Sequence, residues 1–137
     1  RNVFDEHRHL RALLGQVEEA FARPVPHAAS GPDVVAARLD TLRGPLGAHF
    51  DEEERAHLFE DIEDLSPEQA PVCQRLRTEH RGLIRRLDAL RTASPEARRG
   101  PTWVRDVQAL LADLARHEAH ESEVLRRALD GSTPAAD

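Results

Sequence analysis

The sequence predicts an all-α protein, an antiparallel up-and-down four-helix bundle, on three observations. Leu, Ala, Glu and Arg dominate, while aromatic residues make up only 4% of the chain, a composition that favours helices over sheets. Apolar residues recur at alternating three- and four-residue steps, the signature of one buried stripe on a helix. Three breaks rich in Pro, Gly and Ser cut these runs into four segments with short connections, so neighbouring helices are expected to pack antiparallel. The 137 residues suffice for one domain with a core, and 1–137 is read as that domain.

The first helix is expected at about 2–22, with the stripe Val3, His7, Leu10, Leu14, Val17 and Phe21. It ends at the longest break, Arg23-Pro24-Val25-Pro26 through Ser30-Gly31-Pro32. The second, at about 33–64, carries Val35, Leu39, Leu42, Leu46, His49, Glu53 and Ala56, with a kink expected at Gly44-Pro45. Ser66 is placed as an N-cap and Pro67 as the first residue of the third helix, about 67–92. Its stripe is Val72, Leu76, His80, Leu83, Leu87 and Leu90. After the break from Thr92 to Pro101, the fourth helix, about 101–130, carries Trp103, Val107, Leu110, Leu114, His117, Glu121, Val124 and Ala128.

Six polar residues interrupt these apolar stripes: His7, His49, Glu53, His80, His117 and Glu121. Burying such groups costs roughly 2–7 kcal/mol each when no hydrogen bond compensates. A bound metal is the most economical compensation. Counted from one end of an antiparallel bundle, the four histidines lie about ten to sixteen residues in. At ~1.5 Å per residue their levels agree within about 9 Å, so they form one layer. His49 and Glu53, like His117 and Glu121, are four residues apart, and each pair therefore projects from one helix face. Imidazoles and carboxylates in a bundle core suit iron or manganese better than zinc, with its preference for closed four-coordinate sites. A faint internal repeat supports two similar metals. Glu6-His7-Arg8 with Leu10 and Leu14 echoes Glu79-His80-Arg81 with Leu83 and Leu87, and the His-x-x-x-Glu of helix two returns in helix four.

The other polar residues are read as follows. His9 should face solvent, and His27 lies in the Pro-rich break. His57 and His120 border the stripes and are assigned to the surface edge, with a place at the metal as the alternative. Cys73 is expected to pack as a small hydrophobe. The acidic run Asp51 to Glu54 is a solvated face from which only Glu53 turns inward. Glu52, Glu54, Glu79 and Glu118 are candidates to orient ligand histidines from behind.

A His in helix one, His-x-x-x-Glu in helix two, His in helix three and His-x-x-x-Glu in helix four resemble the hemerythrin and HHE cation-binding family, over His7 to Glu121. The resemblance implies a four-helix bundle with two irons bridged by two carboxylates and an oxo or hydroxo group. It makes Glu53 and Glu121 the bridges, gives His7 and His49 to one iron, and gives His80 and His117 to the other. Manganese ranks behind iron. Oxygen-carrying hemerythrins have a second histidine four residues along in helix three. Here Leu76 and Ile84 stand four residues on either side of His80. The last carboxylate also follows its histidine by four residues rather than five, with Ser122 in the fifth place.

The expected function is binding or sensing of O2, peroxide or a similar small oxidant in a dry pocket lined by Leu10, Leu46, Leu83 and Leu114. The alternative is a di-iron enzyme, a peroxide-decomposing or O2-activating oxidase acting on a small molecule. Iron storage ranks third, and a metal-free interaction bundle is the residual reading. A net charge of −6 argues against a nucleic-acid partner. No apolar run has the length of a membrane span, and a single cysteine rules out an internal disulfide, so the cytoplasm is the default location. The chain opens at Arg1 and lacks methionine, which leaves room for a lost leader or a neighbouring domain.

Overall fold

Four long amphipathic segments turn their apolar stripes to a common interior. The computed structural model describes residues 3–22 and 31–131, with side chains for 7–21 and 31–131. Val3 and His27 fall outside the described side chains. Among the described residues every regular element is helical. The elements are α1 (Val3–Ala22), α2 (Gly31–Arg55), α3 (Leu58–Leu65), a 3-10 turn (Pro67–Gln69), α4 (Ala70–Arg91), α5 (Pro95–Arg98) and α6 (Pro101–Gly131). Helix α1 packs on α2 and α6, and α4 packs on the same two helices from the other side.

The interior has two apolar clusters. The larger joins Leu10 to Val17 of α1, Val35 to Phe50 of α2, Leu83 to Leu90 of α4 and Trp103 to Leu114 of α6. The smaller joins Phe59 and Ile62 of α3, Cys73 and Leu76 of α4, and Val124 and Ala128 of α6. The buried histidines lie between them in sequence on α2, α4 and α6, so a polar layer separates two dry compartments. Helices α2 and α6 run from the larger cluster toward the polar layer, whereas α1 and α4 run from that layer into the larger cluster.

The second segment does not continue unbroken to residue 64. Helix α2 stops at Arg55, and His57 adopts the left-handed conformation, φ 57°, before α3 begins. A non-glycine residue there crowds its Cβ against the backbone, and histidine is among the residue types that tolerate it best. The break leaves Ala56 exposed rather than on the buried stripe, and it brings Phe59 and Ile62 into the core. Pro45 lies inside α2. Ser66 is not an N-cap by its side chain. Its hydroxyl donates instead to Glu68 Oε1 at 2.6 Å, and a 3-10 turn intervenes before α4.

The remaining connection carries the four-residue helix α5, where Ser94 Oγ accepts from the Ala97 amide at 3.1 Å. Just beyond it, Trp103 Nε1 donates to the Leu90 carbonyl at 3.0 Å and so satisfies one open carbonyl at the end of α4. Cys73 is fully buried among apolar side chains, where burial pushes its thiol pKa up. No helix among the described residues is long and apolar enough to cross a membrane.

Candidate metal centre

The six polar residues picked from the stripes are all buried: His7 on α1, His49 and Glu53 on α2, His80 on α4, and His117 and Glu121 on α6. They converge on one layer of the core. Glu121, with no exposed surface, stands at its centre. Its Oε1 lies 3.0 Å from His7 Nε2 and 3.9 Å from His49 Nε2. Its Oε2 lies 3.3 Å from His117 Nε2 and 4.0 Å from His80 Nε2. One carboxylate thus presents a separate oxygen to each of two histidine pairs. Within each pair the ring centroids are 5.0 Å apart. Glu53 enters from α2 with Oε1 3.3 Å from His49 Nε2 and 3.5 Å from His80 Nε2, and with Oε2 3.8 Å from His7 Nε2.

A seventh residue joins them. Glu118 was a candidate only for orienting a histidine from behind, yet it is buried, with Oε2 3.0 Å from His7 Nε2 and 3.8 Å from His49 Nε2. Donor atoms of His7, His49, Glu118 and Glu121 all fall within 4.8 Å of one another, and so do those of His80, His117 and Glu121. Glu121 is common to both sets.

The outer nitrogens of three rings are held from behind. His117 Nδ1 donates to Glu79 Oε1 at 3.0 Å, and His80 Nδ1 donates to Glu54 Oε1 at 3.4 Å. His7 Nδ1 meets Ser122 Oγ at 3.3 Å, a partner the sequence reading had not assigned. Its position five after His117 was the available signal, since one helical turn brings residues 118, 121 and 122 to one side. Glu52 does not take part and pairs with Arg55 on the surface at 3.2 Å. His9, His57 and His120 are exposed and stand apart from the donor cluster.

Aromatic and aliphatic side chains complete the wall. Phe50 stacks on His80, with centroids 4.0 Å apart and planes within 9°, and Phe59 approaches the same ring at 5.5 Å. Leu10, Leu46, Leu83 and Leu114 are all buried. In these surroundings burial pushes His80 down to about 3, assisted by the neighbouring His117 and His49, so its ring is neutral near pH 7. Burial also disfavours the charged form of His7, but its hydrogen bond to Glu121 and the charges of Glu118 and Glu121 outweigh that and raise its pKa.

The donor set fits a pair of cations. With Nδ1–H of His80 and His117 engaged behind, each Nε2 lone pair points at carboxylate oxygens, a repulsive contact unless a cation lies between. Both oxygens of Glu53 and of Glu118, Oε2 of Glu121, and Nε2 of His80 and His117 are buried without a hydrogen-bond partner among the described residues. Native cores rarely leave so many polar atoms unsatisfied in one place. Donors about 2.1 Å from a shared ion lie roughly 3 Å apart when at right angles. The 3.0 Å separations around His7 Nε2 match that spacing.

A family model described as the hemerythrin HHE cation binding domain matches residues 1–129. No curated protein and no solved structure matches.

Proposed function

The chain belongs to the hemerythrin HHE cation-binding domain family, and from that premise we propose that it is a non-haem di-iron protein that binds or senses O2 or a related small oxidant. The observation that carries this reading is the placement of Glu121, whose two oxygens face two separate histidine pairs in a core with orphaned donors. His7 and His49 would hold one iron, His80 and His117 the other, with Glu53 and Glu121 shared between them. The four long helices form an antiparallel up-and-down bundle around the pair. Iron is preferred to manganese on the family alone.

When bound, the iron pair supplies electrons and a Lewis-acidic contact for a small oxidant. The protein's own groups do the rest. Glu79 and Glu54 keep Nδ1 of His117 and His80 protonated, which leaves Nε2 free to ligate. Ser122 serves His7 in either tautomer, because a hydroxyl can donate or accept. Phe50 and the four leucines keep bulk water from the layer.

A second reading is a di-iron enzyme, peroxide-decomposing or O2-activating. It is favoured by a cleft of about 420 Å³ that reaches His117 and Leu83 from outside, bordered by Arg75, Arg86 and Arg116. Such an opening brings a small polar molecule to the outer edge of His117, beside Glu79.

Metal analysis with absorption spectra before and after air and peroxide tests these readings. Two irons per chain and a reversible oxygen-dependent band support binding or sensing. Rapid peroxide turnover supports the enzyme. Protein grown with iron supplied that carries no iron above background refutes the di-iron proposal.

A further inference from the structure

We propose that Glu118 is a direct ligand of the metal held by His7 and His49, so that this side of the centre is closed and exogenous ligands enter on the His80 and His117 side. The inference rests on the di-iron reading and adds an asymmetry to it.

Glu118 follows His117 immediately, and about 100° of helical rotation separates the two side chains. It therefore faces the other histidine pair rather than its neighbour's. The residue is 5% exposed, and neither carboxylate oxygen has a hydrogen-bond partner among the described residues. The only cationic side chains within 4.0 Å of it among those residues are the imidazoles of His7 and His49. His7 cannot satisfy it. That ring's Nε2 carries at most one proton, which is directed to Glu121 Oε1 at 3.0 Å, while its Nδ1 is occupied by Ser122. Two carboxylate oxygens thus converge on one imidazole nitrogen that can serve one of them. A cation in the space between His7, His49, Glu118 and Glu121 resolves the conflict, since every lone pair then points at positive charge.

Among the described residues no equivalent carboxylate reaches the other pair. Glu79 and Glu54 approach His117 and His80 only at Nδ1, on the outer side. Beyond the shared Glu53 and Glu121, the side chain set against both rings is Phe50, which stacks on His80, meets His117 edge-on and offers no donor. The His7–His49 metal therefore receives one terminal carboxylate more than its partner. A small exogenous anion would then bind at the metal held by His80 and His117.

The test compares wild type with Glu118→Ala and with Glu118→Gln, which keeps the side-chain volume if the alanine variant folds poorly. Protein loaded with iron-57 and reduced should give two Mössbauer doublets of equal area. In the variants one doublet should change and the other persist, and one iron of the two should pass to a ferrous chelator at least tenfold faster. Azide titration of the oxidised protein should rise from one equivalent bound per chain to two. Doublets, release rates and azide stoichiometry equal to wild type in folded variants would overturn the role of Glu118 while leaving the di-iron reading intact. A wild-type protein that takes up no iron would overturn both.

Discussion

Glu121 Oε1 lies 3.0 Å from His7 Nε2, a contact that ties the last helix to the first across the buried core. The same carboxylate turns its second oxygen to His117, one turn earlier on its own helix. Replacement of Glu121 therefore removes a donor from both halves of the centre. Glu121→Ala is expected to reduce iron from two per chain to less than one by metal analysis, whereas the exposed His9→Ala should leave loading unchanged.

The carboxylates behind the histidines should matter unequally. Glu79 is 3.0 Å from His117 Nδ1, but Glu54 is 3.4 Å from His80 Nδ1 with a side chain 49% exposed. Loss of an orienting partner typically weakens metal affinity about 10–100-fold. Glu79→Ala should fall in that range in a competition titration against a chelator, and Glu54→Ala should have the smaller effect. An equal effect of the two would contradict the difference in geometry.

Metal removal should destabilise the fold. Glu53, Glu118 and Glu121 share one buried layer, and beside them burial keeps His80 neutral near pH 7. Without cations those carboxylates repel one another or must take up protons. A metal present at a thousand times its dissociation constant contributes about 4 kcal/mol. In a chain of this size that corresponds to about 14 °C in Tm. Differential scanning calorimetry with and without a chelator measures it, and coincident transitions would contradict the expectation.

Phe50 is both core and wall. It is 3% exposed and stacks on His80 at 4.0 Å. Phe50→Ala should cost about 3–5 kcal/mol in urea denaturation, as large-to-small core changes do. Phe50→Leu, which retains most of the volume, should cost less but still free the His80 ring. The prediction for the leucine variant is near-normal iron content with faster iron release to a chelator.

His57 sits at φ 57° with its side chain 73% exposed, and its Nδ1 is 4.0 Å from Glu60. Glycine relieves the left-handed conformation, worth roughly 1 kcal/mol, and gives back part of it as unfolded-state entropy. His57→Gly should therefore leave stability equal or slightly higher and iron content unchanged. A loss of iron would place His57 at the centre, contrary to its exposure.

The helical period alone identified His7, His49, Glu53, His80, His117 and Glu121 as polar groups on apolar stripes, and all six are buried together. Periodicity could do this because a helix face repeats at fixed angular steps whatever it packs against. The break at His57 was not legible. A left-handed residue needs no glycine or proline to announce it when the strain is offset by burying Phe59 and Ile62. Phe50 was missed for a related reason. It directly follows His49, off the chosen stripe, and is buried only because α4 lies against that flank of α2 and brings His80 to it.

The sequence by itself thus determined the helical class, the Pro-, Gly- and Ser-rich breaks and the six polar residues on the apolar stripes, since those depend on local spacing and residue chemistry. Only the tertiary structure decided where Glu118 and Ser122 belong. Both lie on the flank of α6, and a flank is buried or solvated according to the neighbour packed beside it. Helix α1 packs there and brings His7 to 3.0 Å from Glu118 and 3.3 Å from Ser122, residues more than a hundred positions away along the chain.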